Sequence, residues 1–153
     1  MTQSSGNGRS GVLALAGGVG GAKLAVGLAR ILNPDALTIV VNTGDDETFY
    51  GLHVSPDIDT VTYSLAGLAN PDTGWGFAGD TFNALETLKT LGADAWFVLG
   101  DHDLALHLRS KDILRIGMTL SEVTLDLARR MGVRQPVLPM SDQRVRTIIK
   151  STD

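Results

Sequence analysis

The chain of 153 residues contains no cysteine, which excludes both a disulfide framework and a thiolate metal site. It also has no apolar run near the about 18 residues that a transmembrane helix needs. Basic residues are outnumbered by acidic ones, 13 against 17. That balance argues against nucleic-acid binding, which normally needs a basic face. These absences predict a cytoplasmic protein without a membrane or nucleic-acid partner.

The order of the polar and apolar segments predicts one domain. Residues 1–10 are small and polar and lack the apolar core of a signal peptide, so we expect a disordered tail before a domain at 11–153. Apolar runs predict buried strands at 12–16, 37–41, 95–99 and 137–140. Helical spacing and caps predict helices at 22–32, 56–68, 80–91, 103–114 and 120–131. This alternation indicates a doubly wound, mostly parallel, Rossmann-like α/β sheet.

Polar clusters follow all four predicted strands. Glycines follow the first, residues 42–46 the second, residues 100–103 the third, and residues 139–142 the fourth. Ligands of open α/β sheets bind beyond the carboxyl ends of the strands. We therefore expect one binding site along this rim.

A glycine-rich turn opens the first predicted helix. It contains Gly17, Gly18, Gly20 and Gly21, followed by Lys23. Glycine lets a phosphate approach the backbone, and the helix N-terminus supplies N–H donors, so the pattern predicts phosphate binding. The dinucleotide fingerprint is only partly met, since Lys23 stands at its third glycine, and the P-loop spacing is absent. A tight turn that needs glycine for geometry alone is the alternative.

Carboxylates near a phosphate site usually hold magnesium, which prefers oxygen ligands. Asp45 and Asp57 are the predicted catalytic and metal-binding pair, with Asp46 and Asp59 as weaker candidates. Helix capping by Asp57 and a solvated loop charge elsewhere are the alternatives.

Further side chains on the rim are candidates for ligand contact. Trp75 either stacks on a flat ring or anchors its loop, while Ser141 and Asp142 either bind a base or cap the next element. Residues 101–103 could form a metal or acid–base cluster, and the alternative is that Asp103 and His107, four residues apart, are only a surface pair. The remaining candidates for nucleotide contact are Asn42, His53 and Asp101.

The ordered motifs resemble the 2-phospho-L-lactate transferases of coenzyme F-420 biosynthesis, including the version that uses phosphoenolpyruvate. The matching stretches are GGVGGAKLAVGL, VVNTGDD, GLHVSPDIDTV, GADAWFVLGDHDLALHL, LSEVT and LPMSD. The resemblance implies a donor that is a lactyl- or enolpyruvyl-diphosphoguanosine. In the reaction that the resemblance implies, the ribitol hydroxyl of the deazaflavin Fo attacks the distal phosphorus, GMP leaves, and magnesium is required.

The resemblance covers about residues 11–150, the N-terminal portion of a longer family domain. We therefore expect a fragment whose sheet is incomplete at the C-terminus and whose activity alone is in doubt. It leaves phospholactate and phosphoenolpyruvate open as the transferred group, and a homodimer open as the assembly. Two other functions remain: a nucleotide-sugar-binding regulator of the gluconeogenesis-factor type, and a generic NAD-binding domain. Asn42, in place of an acid after the second strand, counts against the NAD-binding domain.

Overall fold

The computed structural model describes residues 11–151 and confirms an α/β fold built on a mostly parallel sheet. In chain order the elements are β1 (Val12–Ala16), α1 (Gly18–Ile31), β2 (Leu37–Val41), β3 (Glu47–Phe49), β4 (Leu52–Val54), α2 (Pro56–Ala66), α3 (Asn83–Thr90), α4 (Asp101–Arg115), α5 (Leu120–Arg130) and β5 (Val137–Pro139). A short 3-10 turn, Pro34–Ala36, leads into β2.

The main sheet has three parallel strands in the order β1-β2-β5. Because β2 lies in the middle, its inward residues Leu37, Ile39 and Val41 are almost completely buried. They pack with Ala14 and Val137 against apolar residues of α1, α2 and α5. This packing holds the carboxyl ends of the three strands next to the N-termini of α1 and α2.

The two faces of this sheet differ. Leu13 and Leu15 lie opposite Thr38 and Val40 in the β1-β2 register and point away from the buried core. They are 63% and 74% exposed, respectively. The prediction of a fully buried first strand is therefore wrong, because the described helices pack on the other face.

Local sequence signals explain the start of α5 and the end of α2. Thr119 and Glu122 form the predicted capping box, with mutual side-chain to main-chain hydrogen bonds at the start of α5. Gly67 ends α2 in the left-handed conformation, with φ of 71°. Ser55 stands at the N-cap of α2 as predicted, but its side chain makes no capping bond.

Two predicted segments are wrong. Residues 95–99 form no strand, so the sheet has three strands instead of four. Instead, the ring of Phe97 stacks on the ring of Phe49, with 3.6 Å between the ring centroids. The main-chain carbonyl of Phe97 accepts a hydrogen bond from the Tyr50 hydroxyl. The predicted loop at 42–54 contains the antiparallel β3-β4 hairpin, onto which this apolar segment packs. Within residues 11–151, no helix is both long and apolar enough to cross a membrane.

Candidate functional site

The glycine turn is shorter than predicted, because α1 already begins at Gly18. Gly18 has a positive φ of 54°, which favours glycine. Gly21 lies against β1: a Cβ there would stand 3.0 Å from the Cα of Ala16. In contrast, a Cβ on Gly20 would meet no atom within 4 Å. The first turn of α1 therefore packs closely on the strand and leaves open space at Gly20.

Asp57 connects three elements of the rim. Its Oδ1 accepts a hydrogen bond from the main-chain N–H of Gly18 at 2.8 Å. Its Oδ2 accepts one from the Asn42 side chain at 2.9 Å. Asn42 in turn accepts from the N–H of Gly44 at 3.0 Å. Asp57 thus does not cap its own helix but holds the start of α1 and the end of β2 together.

The first N–H groups of a helix have no partner within the helix. Asp57 accepts from the first of them, that of Gly18, and Gly17 accepts from Gly21. The N–H groups of Val19 and Gly20 lie between these two. They are the donors that this helix start presents for a ligand oxygen.

A cleft of about 350 Å³ opens beside this turn, and we call it the glycine cleft. Its wall includes Gly18, Asp57, Asp59, Trp75, Phe97 and Asp103. Trp75 is 53% exposed, so it is not a buried anchor of its loop. Three features predicted from the sequence therefore meet at one cavity: the glycine turn, Asp57 and Trp75. Asn42 is hydrogen-bonded to Asp57 beside this cavity.

Burial shifts the pKa of two groups at this cleft in opposite directions. His107 is 4% exposed, and its Nε2 lies 3.7 Å from the Oδ2 of Asp59. Burial lowers the pKa of His107 to about 4, with the neighbouring His53 acting in the same direction. Burial raises the pKa of Asp59 well above its ordinary value, helped by Asp103 and Asp46. Burial thus disfavours the charged form of both side chains.

Asp103 also faces the glycine cleft, and burial raises its pKa. Burial raises the pKa of the neighbouring Tyr63 as well, with Asp59 and Asp103 as further causes. The prediction that Asp103 and His107 form a surface pair is wrong, because α4 turns this side towards α2.

Asp101 has a structural role that its sequence position did not indicate. It accepts hydrogen bonds from the side chains of Thr81 and Asn83 and from the N–H groups of Asn83 and Ala84. These bonds lower its pKa to about 2, with the Thr81 hydroxyl contributing most. Asp101 thereby holds the start of α3, and it does not line the glycine cleft. The placement gives no support to its predicted contact with a ligand.

A second cleft, also of about 350 Å³, lies beside the β3-β4 hairpin, and we call it the hairpin cleft. Its wall includes Thr43, Asp46, His53, Leu120, Asp142 and Arg144. The Oδ2 of Asp46 accepts from the Ser55 hydroxyl at 2.7 Å and lies 3.1 Å from the His53 ring. Asp142 accepts from the N–H of Ser121, in the first turn of α5. The structure thus places His53 and Asp142 away from the glycine turn.

The other predicted residues are more peripheral. Lys23 is exposed and lines a shallow pocket with Val19 and Asn70. Ser141 accepts a hydrogen bond from the N–H of Gln143. Asp45 is exposed on the turn between β2 and β3.

Comparison with known proteins places this geometry in a family. The model of the family described as 2-phospho-L-lactate transferase CofD matches residues 12–153, which is nearly the whole chain. The chain belongs to the 2-phospho-L-lactate transferase family.

Individual relatives agree with this assignment. The chain is 43% identical over 142 residues to the 2-phospho-L-lactate transferase of Methanocorpusculum labreanum, covering 93% of this chain and 47% of that protein. It is 44% identical over 144 residues to the phosphoenolpyruvate transferase of Kitasatospora aureofaciens, covering 93% and 45%. The phosphoenolpyruvate transferase of Mycolicibacterium smegmatis is 41% identical over 152 residues, covering 93% and 46%. The chain spans about half the length of the curated relatives it matches.

The resemblance to the 2-phospho-L-lactate transferase family implied a bound magnesium ion. The carboxylates of the rim can be compared with the ligands that magnesium takes. No group of three or more His, Asp or Glu residues within 11–151 could hold a metal ion. Each oxygen of Asp57 accepts one hydrogen bond and keeps a second lone pair, and Asp45 is solvent-accessible. Magnesium commonly takes one or two carboxylates together with water and substrate phosphates. The residues fit a cation that is held jointly with a phosphate ligand.

Several residues that line the two clefts of this family member were not predicted from the sequence. Tyr63 and the segment Phe97–Leu99 line the glycine cleft, and Thr43 lines the hairpin cleft. Helical spacing offered one signal, since Asp59 and Tyr63 stand four residues apart on α2 and so share a face. No comparable signal was available for residues 97–99, because their position depends on packing against the distant hairpin.

Proposed function

We propose that this chain carries the donor-binding portion of a transferase in coenzyme F-420 biosynthesis. The enzyme would move a phospholactyl or phosphoenolpyruvyl group from a guanylyl-activated diphosphate donor to Fo, with release of GMP. The observation that supports it most is the glycine-opened α1 at a cleft rim, in a chain that matches relatives named for either transferred group. The identities of 43% and 44% do not separate the two acids.

The diphosphate belongs at the start of α1 in this proposal. The N–H groups of Val19 and Gly20 would donate to phosphate oxygens, and the helix dipole favours negative charge there. Asp57 keeps this turn in place through its hydrogen bond to Gly18. The space in front of Gly20 admits the phosphate without contact to a side chain.

The acceptor Fo belongs in the glycine cleft. Trp75 and Phe97 offer aromatic surface to a flat ring system. In the transfer, the acceptor hydroxyl oxygen forms a bond to the distal phosphorus, and the bond from that phosphorus to the GMP oxygen breaks. The hydroxyl proton must leave, and Asp103, whose side chain lines this cleft, would receive it.

Magnesium would be held by Asp45 and Asp57 together with phosphate oxygens, where it would offset the charge of the leaving phosphate. Replacement Asp45→Asn keeps the size of the side chain and removes its charge. We expect it to raise the magnesium concentration needed for turnover and to lower turnover at least tenfold. GDP affinity without magnesium should change little.

The proposal is tested by titrating the chain with GDP, a UDP-sugar and NAD in parallel by calorimetry, with and without magnesium. GDP should bind most tightly. The chain and a full-length relative should then be assayed with Fo and each donor, lactyl- and enolpyruvyl-diphosphoguanosine, with the product identified by mass. Preference for the UDP-sugar would instead favour a regulator, and preference for NAD would favour a dinucleotide-binding domain.

A further inference from the structure

We propose that the uncovered face of the main sheet is a docking surface for the region that the relatives carry beyond the part matched by this chain. This surface, which we call the open face, consists of Leu13, Leu15, Thr38, Val40 and Leu138. Its partner would present an apolar layer of helices, on the same polypeptide or on a separate one. The inference concerns assembly and does not depend on the identity of the donor.

The open face is apolar across its whole width. Leu15 of β1 pairs with Val40 of β2, and Val40 pairs with Leu138 of β5, so three apolar side chains form a row across the strands. Leu13 lies beside this row, because side chains two residues apart point to the same face of a sheet. Val40 and Leu138 are half-buried, whereas Leu13 and Leu15 are 63% and 74% exposed. The face is therefore least covered along β1.

A sheet of this kind normally has both faces covered. Both strand pairs of the main sheet are parallel. Parallel strands need long crossover connections, usually helices, and these helices cover the two faces. Here α1, α2 and α5 pack on the face that carries Leu37, Ile39 and Val41. Residues 11–151 supply no comparable layer to Leu13 and Leu15, so the open face requires a partner from outside this range.

The relatives contain enough additional polypeptide to supply that layer. This chain covers 47% of the Methanocorpusculum labreanum protein and 45% of the Kitasatospora aureofaciens protein. More than half of each relative therefore lies outside the match. The matched part supplies three helices to one face of the sheet, and a remainder of similar length can supply a similar layer to the other.

A second copy of this chain fits the surface less well. Within residues 11–151, β1 lies at one edge of the sheet and pairs only with β2. Its sequence, VLALA, has no charge or proline to prevent pairing with another chain. Pairing of two β1 edges would widen the sheet and leave Leu13 and Leu15 in water. Stacking of two open faces would give a parallel sheet covered by another sheet, where such sheets normally carry helices.

Co-expression tests the docking directly. The 153-residue chain is produced together with the remainder of the Kitasatospora aureofaciens enzyme, and the affinity tag is placed on that remainder. We expect the two polypeptides to co-purify as a one-to-one complex. Leu15→Asp should weaken the complex about a hundredfold or more, because it would bury an unpaired carboxylate. The melting temperature of the isolated variant should stay unchanged, since Leu15 is largely exposed.

Ile116→Asp is the matched control for Leu15→Asp. Ile116 is 73% exposed, which is nearly the same as Leu15. It follows α4, which packs on α5 and so lies on the helical side of the sheet. This variant should bind the remainder with the affinity of the wild-type chain.

Thiol labelling gives a second measurement that needs no separate partner. The chain contains no cysteine, so Leu15→Cys introduces a single thiol. In the isolated chain, a maleimide should modify Leu15→Cys as fast as Ile116→Cys. In one polypeptide that joins residues 12–153 to the remainder, modification of Leu15→Cys should be at least about tenfold slower, because only local opening would expose the thiol. Ile116→Cys should react at the same rate in both forms, with the modified residue identified by mass spectrometry.

Three results would overturn the inference. Absence of co-purification together with fast labelling of Leu15→Cys in the joined polypeptide would show that the remainder does not cover the open face. Co-purification that Leu15→Asp does not weaken would place the contact elsewhere. Slow labelling of Leu15→Cys in an isolated chain with the mass of a dimer would assign the face to a second copy. GDP binding by the isolated chain is measured separately, so none of these results bears on the proposed function.

Discussion

The glycine cleft and the hairpin cleft lie on either side of the end of β2, yet the carboxylates at the two clefts differ in their hydrogen-bond partners. At the glycine cleft, the central carboxylate of Asp57 has both oxygens engaged by neighbouring elements. At the hairpin cleft, Asp46 uses one oxygen and leaves the other without a partner. Asp57 thereby holds the start of α1 and the end of β2 together, whereas Asp46 keeps one oxygen without a hydrogen-bond donor among the described residues. Asp57 and Asp46 thus share a charge and differ in role.

The largest effect that bears on this comparison is expected at the α1 turn. Gly20→Val should weaken GDP binding at least a hundredfold, about 3 kcal/mol, because its side chain would fill the space that the phosphate needs. The control is Gly27→Val, a second exposed glycine of α1 whose Cβ would also meet nothing within 4 Å. Calorimetry with GDP and a melting curve for each variant decide the matter. Equal GDP affinity in both variants would place the phosphate elsewhere.

The role of Asp57 in holding the rim is tested next. Asp57→Ala removes two hydrogen bonds and should lower the free energy of unfolding by about 2 kcal/mol. Asp57→Asn keeps only one acceptor oxygen and should lose about half as much. Asp45→Ala, at an exposed position, should change it by less than about 0.5 kcal/mol. Urea unfolding measures all three. Wild-type stability in Asp57→Ala would show that these bonds do not hold the rim.

The opposite pKa shifts of Asp59 and His107 predict pH dependences of opposite sign. In Asp59→Asn only His107 remains, and its pKa falls from 6.5 to about 4 on folding. The unfolded state then binds more protons, so stability should rise between pH 4 and 6.5. In His107→Gln only Asp59 remains, whose pKa is raised from 3.8, so stability should fall as pH rises above about 4. One proton gives at most about 1.4 kcal/mol per pH unit.

Denaturant unfolding between pH 4 and 7 measures both slopes. The wild-type chain should show a flatter dependence than either variant, because the two contributions oppose each other. Slopes of the same sign in the two variants would mean that burial does not shift the pKa values of Asp59 and His107 in opposite directions.

The smallest effect concerns the support of Asp46. Ser55→Ala removes the hydroxyl that donates to its Oδ2 and should lower the free energy of unfolding by about 1 kcal/mol. Thr43→Val, which removes an unpartnered hydroxyl from the same cleft, should not lower it. Thermal unfolding separates the two. A larger loss in Thr43→Val than in Ser55→Ala would remove the distinction between satisfied and unsatisfied groups.

Local patterns predicted the features that depend on neighbouring residues. The bounds of β1 and β2 and the capping box of α5 agree with the sequence, since burial periodicity and capping act within a few residues. Residues 95–99 have the composition of a buried strand. Their backbone finds no strand partner, because aromatic packing on the β3-β4 hairpin places them beside the glycine cleft.

In the candidate site, too, the sequence predicted individual residues but not the long-range contacts between them. The glycine turn and Asp57 were predicted, but the bond between them joins residues 39 apart in sequence and could not be inferred from spacing. Asp45 and Asp46 are neighbours in a sequence that gives both the same chemistry. Only the fold makes Asp45 exposed and Asp46 buried.

Asp57 also has a consequence for binding equilibria. Its carboxylate already occupies one donor at the positive end of α1, so a phosphate that arrives there meets an anion a few ångströms away. A cation between the two would convert that repulsion into attraction. Under this arrangement, cation and nucleotide each increase the affinity for the other by the same factor, as linkage requires. The family member would then distinguish a nucleotide with its cation from the bare nucleotide before any chemistry begins.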